Sequence, residues 1–167
     1  EVGVAGVSVD APSRVLQSVL RSLRERGLLL ALVSKNEPAD VEAVLRDHPD
    51  MLLRRGDFVA VRAGWQAKSR VLQELAAELD LGLDSFVFLD DNPVEVAEVR
   101  AHAPRVCALQ VPLDAGPGAE RAMRDFFDHV WAFDAAGSGT AEDVTRTELY
   151  RAQAERAGAQ RQAPSFE

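Results

Sequence analysis

A single cysteine, Cys107, stands in the 167 residues. It excludes an internal disulfide and suits a reducing compartment, so a cytoplasmic location is expected. Basic residues are the minority: 19 Lys and Arg stand against 27 Asp and Glu, a net charge of −8. No basic stripe is present, so nucleic acid is not an expected partner. Long apolar runs are also missing. The longest, Leu28 to Val33, is far too short to cross a bilayer, so no membrane partner is expected. No stretch reads as a secretory signal. His48, His102 and His129 lack metal-ligand spacing and read as surface or packing residues. What remains is ordinary for one globular domain: 47% hydrophobic and 28% charged residues, in a length sufficient for a single core.

Apolar runs alternate with amphipathic stretches. Pro12 to Arg26 reads as a helix, capped by Asp10 or Ser13 and ended by Gly27. Its stripe is Val15, Leu16, Val19, Leu20 and Leu23. Leu28 to Val33 is a strand, followed by a helix from Pro38 to about Asp47. Phe58 to Val61 is a short strand, and Lys68 to Leu79 a clear amphipathic helix. A strand at Phe86, a helix from about Pro93 to His102 and a strand at Val106 to Leu109 follow. This alternation predicts a parallel α/β sheet with flanking helices over 1–112. The remainder, 113–167, is predicted to be a C-terminal helical segment. It holds a loop at Asp114 to Gly118, a helix over Arg121 to Phe133 that buries Phe126, Phe127, Val130 and Trp131, and a flexible joint at Ala135 to Gly139. A last helix starts at Thr140, with Asp143 at the capping-box position, and runs through Tyr150 to about Ala157. Its charges suggest an arm rather than a core element.

Two polar motifs close two of the strands. Ser34-Lys35-Asn36 follows Val33, and Asp90-Asp91-Asn92-Pro93 follows Leu89. In open α/β sheets, ligands bind beyond the carboxyl ends of the strands. A hydroxyl, an ammonium and free amides at a helix start suit a phosphate, whereas the plain alternative is a polar turn. Adjacent carboxylates repel, and a bound Mg²⁺ relieves that cost while favouring phosphate oxygens. The alternative there is capping of the next helix. Lys68 opens its helix, where a cation is disfavoured by the helix dipole, so it is a candidate for the same rim. Cys107 reads as a structural thiol. Trp65 and Trp131 read first as packing anchors, with a substrate-side role open for Trp65.

Ser34-Lys35-Asn36, Gly64-Trp65-Gln66-Ala67-Lys68 and Leu83 to Pro93 resemble the haloacid-dehalogenase (HAD) superfamily, and within it the IIIC, FkbH-like branch. His48-Pro49-Asp50-Met51, Thr140 to Asp143 and Arg146 to Arg151 fit the same branch. The resemblance implies a Rossmann-like parallel sheet. It makes Ser34 the phosphate-binding hydroxyl of the second motif, with Lys35 and Asn36 beside it. It makes Lys68 the third-motif lysine, Asp91 the Mg²⁺ ligand of the fourth motif and Asp90 its ordering carboxylate. It implies transfer of a glyceryl unit from 1,3-bisphosphoglycerate to an acyl carrier protein, with phosphate release, in polyketide or related biosynthesis.

The superfamily's first motif, Asp-x-Asp-x-Thr, has no match in Glu1 to Ala11. The resemblance places that motif, with its nucleophile, on a central strand between the Phe86 and Leu29 strands. The expectation is therefore a chain that is a piece of a longer protein and begins after that strand, poorly folded and inactive alone. Two other functions stay open: a non-catalytic relative that binds a carrier protein or other partner, and a plain phosphatase.

Overall fold

A computed structural model of the protein describes residues 6–113, 116–134 and 141–162. Helix α1, Ala11–Glu25, is capped by Asp10, whose carboxylate accepts from the Ser13 amide at 2.9 Å. Gly27 ends it at φ +95°, a conformation glycine adopts without a steric cost. Strand β1 is Leu30–Ser34, α2 is Pro38–Asp47 and β2 is Phe58–Ala63. Helix α3, Lys68–Leu79, leads to β3, Val87–Asp90; α4, Pro93–His102, leads to β4, Cys107–Gln110. Prolines open α2 and α4, where the missing N–H costs nothing.

The strands form two parallel ladders. In one, β1 pairs β2 from Leu30↔Phe58 to Ser34↔Ala63, with an irregularity after Leu30. In the other, β3 pairs β4 from Val87↔Cys107 to Asp90↔Gln110. The expected α/β architecture is present, but among the described residues no strand joins the two ladders. The run through β1 is therefore less buried than a strand paired on both edges: Ala31 is exposed, and Leu32 and Val33 are half-buried.

Helices cover both faces of each ladder. Phe88 packs with Leu72, Val96 and Val99 from α3 and α4. Val87 and Leu89, on the opposite face by strand alternation, pack with Val15, Leu23, Met123 and Phe127. Around the first ladder, Leu30 and Phe58 pack on Val41 and Leu45 of α2. Val59 faces Leu75 and Leu79 of α3.

The C-terminal segment differs from expectation. Helix α5, Ala119–Asp128, is shorter than the predicted one, and a 3₁₀ turn at Trp131–Phe133 follows it. Phe127, Val130 and Phe133 fill the core against α1, while Trp131 is turned out at 75% exposure. The final helix, α6, spans Ala141–Gln162 and lies on β2 and α3. Thr147 and Ala154 are buried there, and Arg151 donates to the carbonyls of Gly56 and Phe58. It is a packed element rather than an arm. The expected joint at 135–139 and the Thr140 cap lie outside the described residues. No helix among the described residues is long and apolar enough to cross a membrane.

Candidate functional site

The carboxyl ends of β1 and β2 are tied together. Ser34 closes β1, and its carbonyl accepts from the Gly64 amide at 3.0 Å. Gly64 has φ +144°, which a side chain would strain. This turn brings Trp65 and Gln66 round to the start of α3. Ser34, Lys35, Arg62, Trp65, Gln66, Lys68 and Glu74 are among the residues lining a cavity of about 330 Å³. That volume is at the lower end of small-molecule pockets.

Lys68 is the first residue of α3 and is 8% exposed. Its ammonium donates to Asp90 Oδ2, and the two side chains are 10% and 7% exposed. Neither charge is tolerable there alone, so the pair holds both. Lys68 Nζ also lies 5.7 Å from the centre of the Phe88 ring, whose face attracts cations. The N-cap of α3, Ala67, has no capping side chain. Glu98 of α4 supplies the function from across the interface: it accepts from the Ser69 amide at 3.1 Å and from the Ser69 hydroxyl. A carboxylate at a helix N-terminus offsets the unfavourable placement of Lys68.

The carboxylate pair divides its tasks. Asp90 Oδ1 accepts from the Asn92 amide at 2.9 Å and shapes the turn. Asn92 is the N-cap of α4, accepting from the Val94 amide at 2.9 Å. With the cap assigned to Asn92, the exposed Asp91 carboxylate has no hydrogen bond or ion pair among the described residues. Its carbonyl accepts from Gln110 Nε2 at 3.2 Å, which pins the backbone.

The three residues Ser34, Lys35 and Asn36 separate. The Ser34 hydroxyl oxygen accepts from Asn36 Nδ2 at 3.0 Å, leaving its own proton to donate elsewhere. Lys35 Nζ donates to Glu95 Oε1 at 2.7 Å. Glu95 is 8% exposed, and its second oxygen has no partner. Asn36 is exposed and does not line the cavity.

The fold thus brings Ser34, Lys35 and Lys68 to one cavity, with Asp90 reached through Lys68. Asp91 stands beside this set, outside the cavity lining. Sequence reasoning missed Glu95 and Glu98, although their three-residue spacing on a helix just after Asp90-Asp91 puts both on one face. It also missed Arg62, which lines the cavity and pairs with the buried Glu78. Trp65 is not a packing anchor: it is 71% exposed. Trp131 is not one either, because the shorter α5 leaves that position to the turn. Cys107 is a free, half-buried thiol in β4.

No family model and no curated protein matches this chain. Among solved structures, it is similar to the N-terminal part of the protein BF1531 from Bacteroides fragilis, which contains a phosphatase domain and was crystallised as a complex with Mg. Identity is 27%, the TM-score is 0.65, and the match covers 81% of this chain. The chain spans about a third of that structure's length, 34%.

Proposed function

We propose that this chain, haloacid-dehalogenase-like in its fold, is a Mg²⁺-dependent phosphoryl-handling domain. Its proposed reaction is transfer of a glyceryl group from 1,3-bisphosphoglycerate to the thiol of an acyl carrier protein, with release of phosphate, in the assembly of a polyketide or related product. One observation carries the reading: a buried Lys68–Asp90 pair borders a cavity that also presents Ser34. A phosphate placed there meets the Lys68 ammonium and the Ser34 hydroxyl, two donors that favour the charge of a leaving phosphate. The similarity to a phosphatase domain that was crystallised with Mg supports the same chemistry.

The residues present fit the ion. Asp91 offers an unpaired carboxylate, and Asp90 lies beside it. Mg²⁺ commonly takes one or two carboxylates and completes its shell with water and phosphate oxygens. The described residues gather no group of three or more His, Cys, Asp or Glu side chains, and Asp91 would be the carboxylate that they offer the ion. An ion held by Asp91 would supply neutralisation of phosphate charge. Lys68 orients the phosphate and holds Asp90 in place, while Ser34 donates to a phosphate oxygen. The carrier thiol forms the new carbon–sulfur bond, and phosphate leaves with the electron pair of the broken carbon–oxygen bond and takes up the proton that the thiol loses. Cys107 has no part in this step.

The test is mass spectrometry of the carrier protein after incubation of the full-length gene product with 1,3-bisphosphoglycerate and Mg²⁺. A glyceryl mass gain accompanied by phosphate is expected. Phosphate without the mass gain makes the protein a plain phosphatase. Neither product, with the carrier still bound, makes it a partner-binding module.

A further inference from the structure

Trp65 stands apart from the rest of the cavity wall. Lys35, Lys68 and Arg62 are each committed to a carboxylate: Glu95, Asp90 and Glu78. Trp65 is 71% exposed, so most of its large apolar surface is not buried by folding. Its loop is nevertheless well anchored. The Gly64 amide is bonded to Ser34, the indole Nε1 donates to Glu37 Oε1 at 3.4 Å, and Lys68 three residues on is buried. The edge of the indole is tethered across two loops while its bulk stays in solvent. The cavity of about 330 Å³ exceeds what a phosphate group occupies, and Val33 and Val71 add apolar lining.

We propose that Trp65 is the recognition wall for the carbon portion of a small phosphorylated substrate, a specificity residue distinct from the groups that hold the phosphate. The inference rests on the phosphate-site reading above and deepens it. Aromatic faces pack against short carbon chains without demanding one orientation, and a tethered indole loses little freedom on doing so. The occupant is a small molecule rather than a protein surface because Trp65 lines the same cavity as Ser34 and Lys68.

The 167 residues hold two tryptophans, so in the full-length gene product Trp131→Phe, with the further Trp65→Phe change as the blank, isolates the emission of Trp65. In Mg²⁺, 3-phosphoglycerate is expected to change its emission, and inorganic phosphate to change it far less. By calorimetry, Trp65→Ala should weaken 3-phosphoglycerate binding about tenfold, the size of a good aromatic contact. Inorganic phosphate should bind within about twofold of the unsubstituted protein, and Trp65→Phe should recover most of the loss. Equal weakening of both ligands, or of neither, overturns the proposal. So does a Trp65→Ala protein that loses affinity only for the carrier protein. Ser34→Ala separates the two levels: it should weaken both ligands. If Ser34→Ala weakens both and Trp65→Ala neither, the wall alone is wrong. If Ser34→Ala weakens neither, or if the unsubstituted protein binds neither ligand, the phosphate site is wrong and the wall falls with it.

Discussion

The two ladders carry opposite chemistry. The β1–β2 half, with α3, contributes Lys35, Lys68 and the Ser69 donors. The β3–β4 half, with α4, contributes Asp90, Glu95 and Glu98. Among the described residues no backbone ladder joins the halves, yet side chains do: Lys35 with Glu95, Lys68 with Asp90, Ser69 with Glu98, Gln73 with the His102 carbonyl, and Leu72 packed on Phe88. Each half alone would hold buried, unpaired charge. Their association is therefore specific: a shift of one half would strand two ion pairs and the Ser69–Glu98 hydrogen bonds at once. The same contacts fix the groups proposed to meet a phosphate, so the seam and the site are one structure.

The largest expected effect breaks the seam at its most buried point. Lys68→Met leaves Asp90 without its partner and should lower stability by about 3–5 kcal/mol in urea unfolding, with loss of phosphate binding. Adding Asp90→Leu should restore most of the stability, because an apolar pair needs no compensation, but should not restore binding. Stability that stays low in the double variant would mean that the pair is not the source of the loss.

Asp91→Ala sharpens the comparison from the other side. Its carboxylate supports no contact of the fold, so thermal unfolding should move by no more than about 0.5 kcal/mol. Mg²⁺-dependent phosphate release by the full-length gene product should fall roughly a hundredfold or more, the scale of a lost transition-state contact. Near-normal release would return the metal-binding role to another residue.

Glu98→Ala removes the cap that α4 lends to α3 and should cost about 1–2 kcal/mol. Because Lys68 is the first residue of α3, the apparent affinity for phosphate should fall with it. Unchanged affinity would show that Asp90 alone positions the lysine.

The smallest effect lies away from the seam. Hydrogen bonds from the Ser13 side chain and amide hold the Asp10 carboxyl below its ordinary value. A depressed folded-state value stabilises above the unfolded one, near 3.8. That contribution is lost as pH falls through the lower, folded value. Asp10→Ala should therefore cost about 1 kcal/mol at pH 7 and less in acid, where the protonated carboxyl caps only as a neutral acceptor. A cost unchanged in strong acid would show that the charge contributes nothing.

Much of the local structure was legible because its causes are local. Helices over Pro38–Asp47, Lys68–Leu79 and Pro93–His102 follow from prolines at first turns, an apolar stripe and the breaks around them. The α/β alternation and the placement of Ser34 and Asp90 at strand ends follow from the same pattern. Burial was harder to read. A six-residue apolar run predicts a strand buried on both sides, but β1 has one ladder neighbour among the described residues, and Ala31 faces solvent. Trp65 and Trp131 look like core residues by size, yet loop geometry decides their exposure.

By itself, the sequence determined which residues form each element and which polar groups sit at strand ends, since capping, propensity and periodicity act within a few residues. Only the tertiary structure decided what those groups do there. Lys68 meets Asp90 across 22 positions, and Lys35 meets Glu95 across 60. Asn92, not Asp91, caps α4, so the free carboxylate is identified by what its neighbours have already satisfied. Charge pairing of this kind depends on distance and burial in the folded chain, which no local spacing encodes.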